Sequence, residues 1–248
     1  MTEPDPTPAA EGVSSQEAGL YREPGIARIA ARTAGVLLLF TLFFTALMAG
    51  MHSATEDRLA ASAMQQKMRL IGEVLPPASY DNDLLADAIT LPPQNALANT
   101  APTTLYRARR AGEPVAVVFE AAANDGYSGR IDLLMAVGVD GRVIALRVIQ
   151  HKETPGLGDY IDPRKDRNKA RPWITQFTAK GFDEVPQPRW QVRKDGGDFE
   201  QMNGATISAR AVTRARGRAL AWAIPRMAML VALPAGATPD AAALENTR

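Results

Sequence analysis

The chain has 248 residues, enough for one substantial globular domain plus appendages. Its 28 basic and 27 acidic residues give a net charge of +1, without the basic excess that a nucleic-acid surface needs. With no cysteine and only His52 and His151, the sequence excludes a disulfide framework, a thiolate nucleophile and a cysteine-ligated cluster, and argues against a histidine-rich metal site.

Residues 2–18 are rich in Pro, Glu, Ser and Ala, show no apolar period, and place a disordered tail over 1–24. Thr33 to Met51 is free of charge and, as a helix, spans roughly 28 Å, close to the hydrocarbon thickness of a bilayer. A cleaved signal peptide is the competing reading. The segment starts far from the N-terminus, however, and ALMAGMHSA offers no clean small-x-small cleavage site, so a retained anchor over 25–52 is expected. Arg22, Arg28 and Arg32 precede it, whereas Glu56 and Asp57 come first on the other side. The positive-inside rule then places the N-terminus in the cytoplasm and the rest of the chain outside.

A second helix is predicted over 53–75, with Ser53 and Glu56 as a capping box and Ala60, Met64, Met68, Ile71 and Leu75 at helical spacing. A short helix capped by Asp81 follows at 81–89, then a proline-bearing loop, so that 53–100 reads as stalk and linker. The main domain is expected over 101–232, with candidate strands at 104–109, 114–120, 131–139 and 142–149. The last two are joined by Asp140-Gly141, a strong hairpin signal. Alternation puts Ile144, Leu146 and Val148 on one face and Val143, Ala145 and Arg147 on the other. Trp173, Ile174 and Phe177 suggest a helix over 172–179, RWQVRK a strand at 189–194, and SARAV onward a helix over 208–224 that stops before Pro225. Residues 233–248 read as a loose tail. The order argues for an α+β domain, with a mostly antiparallel sheet flanked by helices.

Two loops carry the chemistry. In HKETPGLGD (151–159), Thr154, Pro155 and Gly156 set a tight turn, and Gly158 permits close backbone approach. Such a loop serves equally as a ligand cradle or as a plain turn. His151 reads as a structural hydrogen-bond partner. Lys152 is either solvated or a fixed positive charge beside a redox ring, and Glu153 orients an amide or pairs with Lys152. In NGATISARAV (203–212), small Gly204 and Ala205 precede the hydroxyls of Thr206 and Ser208 at a helix start. A plain helix start with Thr or Ser as cap explains this pattern; unpaired amides and the macrodipole there equally suit a phosphate, to which the Thr206 hydroxyl could be esterified.

HKETPGLGD, followed after a tryptophan-bearing segment by KDGGDFEQMNGATISARAV, resembles the G subunit of the Rnf complex, a membrane ion-translocating ferredoxin:NAD oxidoreductase. The resemblance covers roughly residues 25–230. It implies an extracytoplasmic FMN-binding domain carrying covalent FMN on the threonine of the GAT triplet, here Thr206, with Ser208 as the fallback acceptor. It implies a flavin transferase that reads an acidic residue six positions earlier and a hydroxyl three positions earlier. Glu200 and Asn203 stand there, departing from the usual Asp and Ser/Thr. Gly204, Ala205, Lys152, Glu153, Thr154, Pro155, Gly156, Leu157 and Gly158 become the expected flavin contacts. Trp173 and the phosphate-reaching Arg210 and Arg214 are weaker candidates. The implied role is an electron carrier, with no acid–base pair of its own, in an inner-membrane complex with membrane and iron–sulfur partners; in nitrogen-fixing bacteria such complexes feed ferredoxin. The C subunit of the sodium-translocating NADH:quinone reductase and a membrane-anchored flavin-binding regulatory module are the alternative readings.

Overall fold

A computed structural model describes residues 25–246, so the predicted tail over 1–24 lies outside the described residues. The chain divides into two compact units, one ending at Ser62 and one starting at Ala63. In the first, helix α1 (Ile26–Val74) begins. Its stretch Ile26–His52, with an 18-residue window of mean hydropathy 2.1, is long and apolar enough to cross a membrane, and Leu37, Phe40 and Phe43 stand exposed along it. The capping box does not start a new helix: α1 runs unbroken through position 53, because no proline interrupts AGMHSATEDR and nothing there forces the backbone out of helical geometry.

The second unit is an antiparallel meander, β1 (Ala88–Leu91), β2 (Thr103–Arg110), β3 (Glu113–Gly126), β4 (Gly129–Gly138) and β5 (Val143–Gln150), in sequence order. One face (Val117, Phe119, Leu133, Met135, Leu146) packs on helix α2 (Thr206–Ala232), with Phe119 and Trp222 rings 5.8 Å apart. The other face (Tyr106, Val118, Leu134, Ala136) covers Ile71, Val74 and Leu75 at the end of α1. Both faces are therefore buried, as the long apolar runs of β3 and β4 require.

Several local expectations are corrected. The region 81–89 is a turn followed by β1. Asp83, not Asp81, accepts the Leu85 amide (2.9 Å), while Asp81 accepts from Ala111 (2.8 Å). The alternation along β5 breaks at a bulge: Ala136 pairs with Ala145 but Val137 pairs with Val143, so Ile144 is skipped. The bulge moves Val143 onto the face of Leu146 and Val148, and sends Ile144 to the opposite side with Ala145. Residues 172–179 form only a 3₁₀ turn, Trp173–Phe177, and 189–194 is no strand. There the backbone folds back until Gly197 lies on the Gln191 carbonyl, leaving a single bridge, Val192 to Phe199. Helix α2 starts at Thr206 and continues through Pro225 to Ala232. Buried Met227 and Leu230 hold its last turns, and Arg226 Nη1 donates to the Trp222 carbonyl (2.8 Å). Residues 233–246 are not loose: α3 (Ala241–Asn246) buries Leu244, and Gly236 and Ala237 bond the backbone of β1 at Ala88 and Thr90.

The stretch between β5 and α2 has little regular structure and is organised around one side chain. Arg216 of α2 is fully buried among Trp190, Phe177 and Phe199, its guanidinium 3.9, 4.5 and 5.4 Å from the ring centres. It donates to the Phe177 carbonyl (3.0 Å), and burial holds its pKa well below the ordinary arginine value.

A second polar knot ties α2 to the sheet edge. Asp87 pairs with buried Arg107 and with Arg109 (2.7 Å), and these arginines donate to the carbonyls of Leu233 and Val231. Removing one partner of a buried pair strands the other. Asp87→Ala is expected to destabilise the fold by about 3 kcal/mol, read as a lowered urea midpoint, whereas reversal of exposed Arg69 leaves that midpoint in place.

Candidate functional site

The two loops singled out above meet. Glu153, Thr154, Leu157 and Gly158 face Gly204, Ala205, Thr206, Ile207 and Ser208 across a cleft of about 150 Å³, completed by Tyr127. Three segments build it: the β3–β4 hairpin tip, the loop after β5, and the start of α2.

The carboxylate of Glu153 joins all three. Glu153 is buried, its Oε1 accepts the Ser128 amide (3.0 Å), and its Oε2 accepts the Ser208 hydroxyl. The glycines around it are required by space. A Cβ on Gly126 would lie 2.8 Å from Glu153 Oε1, and one on Gly158 would lie 2.8 Å from Oε2 and 2.5 Å from Ser208 Oγ. The Thr154–Leu157 turn closes through Leu157 and Gly158 amides on the Thr154 carbonyl (both 3.1 Å), with Gly156 at φ +75°. His151 is a structural partner, its Nδ1 accepting the Glu153 amide (3.1 Å).

Helix α2 opens into this cleft with its first turn bare. Ala205 takes the capping position at φ −131°, no side chain caps the helix, and the amides of Thr206, Ile207 and Ser208 have no intrahelical acceptor. Gly204 has φ +84° with open space beside it, so a left-handed backbone sets the residue there, not crowding. Thr206 is half-buried on the cleft wall, while Ser208 is buried and committed to Glu153. The start of this helix is held from behind by Tyr160. Its hydroxyl accepts the Met202 amide (3.1 Å) and donates to the Ala205 carbonyl (3.2 Å), and burial pushes its pKa up to about 12.

The remaining expected contacts stand off the cleft. In the extended chain leading into the turn, side chains alternate, so the inward Glu153 sends Lys152 into solvent. Pro155 and Gly156 are the exposed tip of the turn. Arg210 is taken by Asp195 (2.5 and 2.7 Å), and Arg214 leans on the same carboxylate (3.7 Å), so neither lines the cleft. Trp173 lines a separate hollow and donates to the Glu200 carbonyl (2.6 Å). Tyr127 was missed. Its signal was an aromatic residue between glycines, in Gly126-Tyr127-Ser128-Gly129, where a hairpin tip has no core to join. Of the seven large apolar side chains exposed in residues 63–246, Tyr127, Leu157 and Ile207 line the cleft and Met202 flanks it; Met64, Leu85 and Val139 are the others.

A bare helix N-terminus for an anion, a hydroxyl beside it and an apolar rim form a seat suited to a phosphate joined to a flat ring. The cleft is smaller than the roughly 300–1,000 Å³ of pockets that enclose their ligands, so such a ring stays partly open to solvent. The class these features fit is a binding protein for a phosphate-bearing ring compound, in a chain whose N-terminal helix is long and apolar enough to cross a membrane. Residues 126–221 match the family model of the FMN-binding domain, and residues 26–74 match that of the RnfG N-terminal region. Three curated relatives are each named as the G subunit of an ion-translocating oxidoreductase complex. The Shewanella baltica (strain OS223) protein is 38% identical over 80% of this chain and 92% of its own length. Its Yersinia pestis counterpart is 44% identical over 72% and 83%, and that of Pseudomonas aeruginosa (strain PAO1) 41% over 77% and 87%. The chain belongs to the RnfG family, the G subunits of Rnf-type ion-translocating oxidoreductase complexes.

The Tyr160 phenol has a raised folded-state pKa, so its contribution to stability is complete below pH 10 and lost as pH rises from 10 through about 12. Urea midpoints of the full chain should fall across that window, and Tyr160→Phe should make the fall smaller. Gly158→Ala is expected to drive Ser208 and Glu153 apart, seen as faster amide exchange at Ser128.

Proposed function

We propose that this chain is the electron-carrying subunit of a membrane-bound ion-translocating ferredoxin:NAD oxidoreductase, with FMN held through a phosphoester to Thr206. The observation that carries this reading is the convergence of the GAT triplet and the ETPGLG loop on one cleft at the uncapped end of α2. FMN supplies reversible acceptance of one or two electrons. The chain's residues supply the rest. The amides of Thr206, Ile207 and Ser208 face the phosphate, and the α2 macrodipole favours its charge. Tyr127, Leu157 and Ile207 offer apolar contact to the ring, and Gly204 and Gly158 keep the backbone close. The remaining expected cofactor residues, Ala205, Thr154, Pro155, Gly156 and Lys152, shape the seat or its approach. Thr206 is favoured over Ser208 as the acceptor because the Ser208 hydroxyl is buried and already bonded to Glu153.

Maturation by a flavin transferase suits the exposed strip 200–204, where Glu200 pairs with Arg193 (2.6 Å) and Asn203 is open to solvent. The basic residues before the span favour a cytoplasmic N-terminus and a periplasmic domain anchored in the inner membrane. Membrane and iron–sulfur subunits of the complex are the proposed partners.

Expressed with a flavin transferase and denatured, the chain should give a fluorescent band in a gel. Thr206→Ala should abolish the band and Ser208→Ala should keep it. A peptide carrying position 206 with no FMN mass, in protein that is otherwise flavinylated, would move the linkage elsewhere.

A further inference from the structure

The segment 163–171, PRKDRNKAR, holds five cations and one acid, with a second acid just before it at 162. The two acids face inward. Asp162 (3% exposed) accepts the Arg164 amide (2.9 Å) and, through the carboxylate, the Arg164 guanidinium (3.0–3.2 Å). Burial alone would push the Asp162 pKa up; the hydrogen bonds and charge of Arg164 outweigh it and hold it down. Asp166 (4% exposed) accepts the amides of Asn168 (2.9 Å) and Trp173 (2.6 Å). Lys169 donates to the Arg164 carbonyl (2.7 Å). The acids thus act as staples, and the outer surface is left to cations. Lys165, Arg167, Lys169 and Arg171 are all exposed, and none pairs with a carboxylate among the described residues. Four uncompensated positive charges on one loop are a local field in a chain whose net charge is only +1.

This loop adjoins the cleft. Arg171, Pro172 and Trp173 line a second hollow of about 410 Å³ together with Glu200, Gln201 and Met202. The chain then runs on into Gly204–Ser208 of the cleft, with Tyr160 pinning Met202 and Ala205 between the two. Charge and apolar surface therefore meet at the second hollow: Arg171, the last cation of the loop, lines it together with Met202, and Tyr127, Leu157 and Ile207 stand exposed at the cleft that follows along the chain.

We propose that the 163–171 loop is an electrostatic docking surface for a redox protein whose facing surface is acidic, seated over the cleft and its apolar lip. This rests on the flavin reading above. A small apolar centre beside a strongly charged edge is the make-up of a transient encounter, in which charge steers approach and the apolar contact fixes register. Two hollows in succession along 200–208 present relief that a flat layer of lipid headgroups does not fill and a complementary protein surface does. Electrons cross such a contact with no bond made or broken, one group being oxidised as the other is reduced.

The test uses the full chain in detergent, as wild type, K165A/R167A/R171A and K165E/R167E/R171E, which spare the stapling residues Arg164 and Lys169. Each is immobilised and offered the remaining components of the complex, purified from cells that lack this chain. Capture should weaken about threefold with alanine and tenfold or more with glutamate at low salt, and the difference should shrink at high salt. Equal capture by all three forms overturns the proposal. So does equal capture combined with lost retention on phosphatidylglycerol vesicles, which assigns the loop to the membrane. In-gel flavin fluorescence is read separately. Charge-dependent capture without a flavin band, with the transferase present, overturns the covalent linkage and leaves the docking surface standing. A flavin band with charge-independent capture does the reverse.

Discussion

The cleft exists because one carboxylate is held where three distant pieces of chain can reach it. Glu153 is bonded to Ser128, 25 positions earlier, and to Ser208, 55 positions later. Burying a carboxylate is costly unless donors replace its water. Here a backbone amide, a hydroxyl and the positive end of α2 do so. The arrangement leaves room for nothing larger than hydrogen at Gly126 and Gly158. A hairpin, a turn and a helix start are thus brought into register by a single group that is itself part of the wall.

The same economy governs the less regular half of the domain. Between β5 and α2 the chain makes only 3₁₀ turns and one bridge, so backbone ladders do little to fix it. Aromatic rings stand in for them: Tyr160, Trp173, Phe177, Phe199, Trp190 and Phe182 follow one another at centroid distances of 4.9–5.4 Å. Arg216 enters this row from α2 as a cation among π-faces, with no carboxylate partner among the described residues. The helix that presents Thr206 at its first residue is therefore locked, three turns on, to the segment that covers it.

Legibility in the sequence followed the range of the force involved. The β3–β4–β5 meander, the apolar span and the start of α2 were readable because their patterns are local: alternation, uncharged length, and small residues before hydroxyls. The bulge at Ile144 was not, because it depends on how β5 meets β4. The expected strand at 189–194 was overridden by packing of Trp190 and Phe199, and the stop at Pro225 by burial of the turns beyond it. At the cleft the two motif loops meet, and which of their members face inward is set by the fold. Lys152 looked like the charged neighbour, whereas the buried charge belongs to Glu153. Tyr127 lies outside both motifs and joins them only once the hairpin is folded.

The shallowness of the cleft carries a consequence for energetics. A flavin ring held at a seat of about 150 Å³, as proposed above, would not be enclosed by it and would keep an edge in water. The dielectric around that edge then changes whenever another protein covers it, and with it the cost of placing negative charge on the ring. On that reading the midpoint potential would be a property of the assembled surface, and titrations of the isolated chain and of the intact complex would differ.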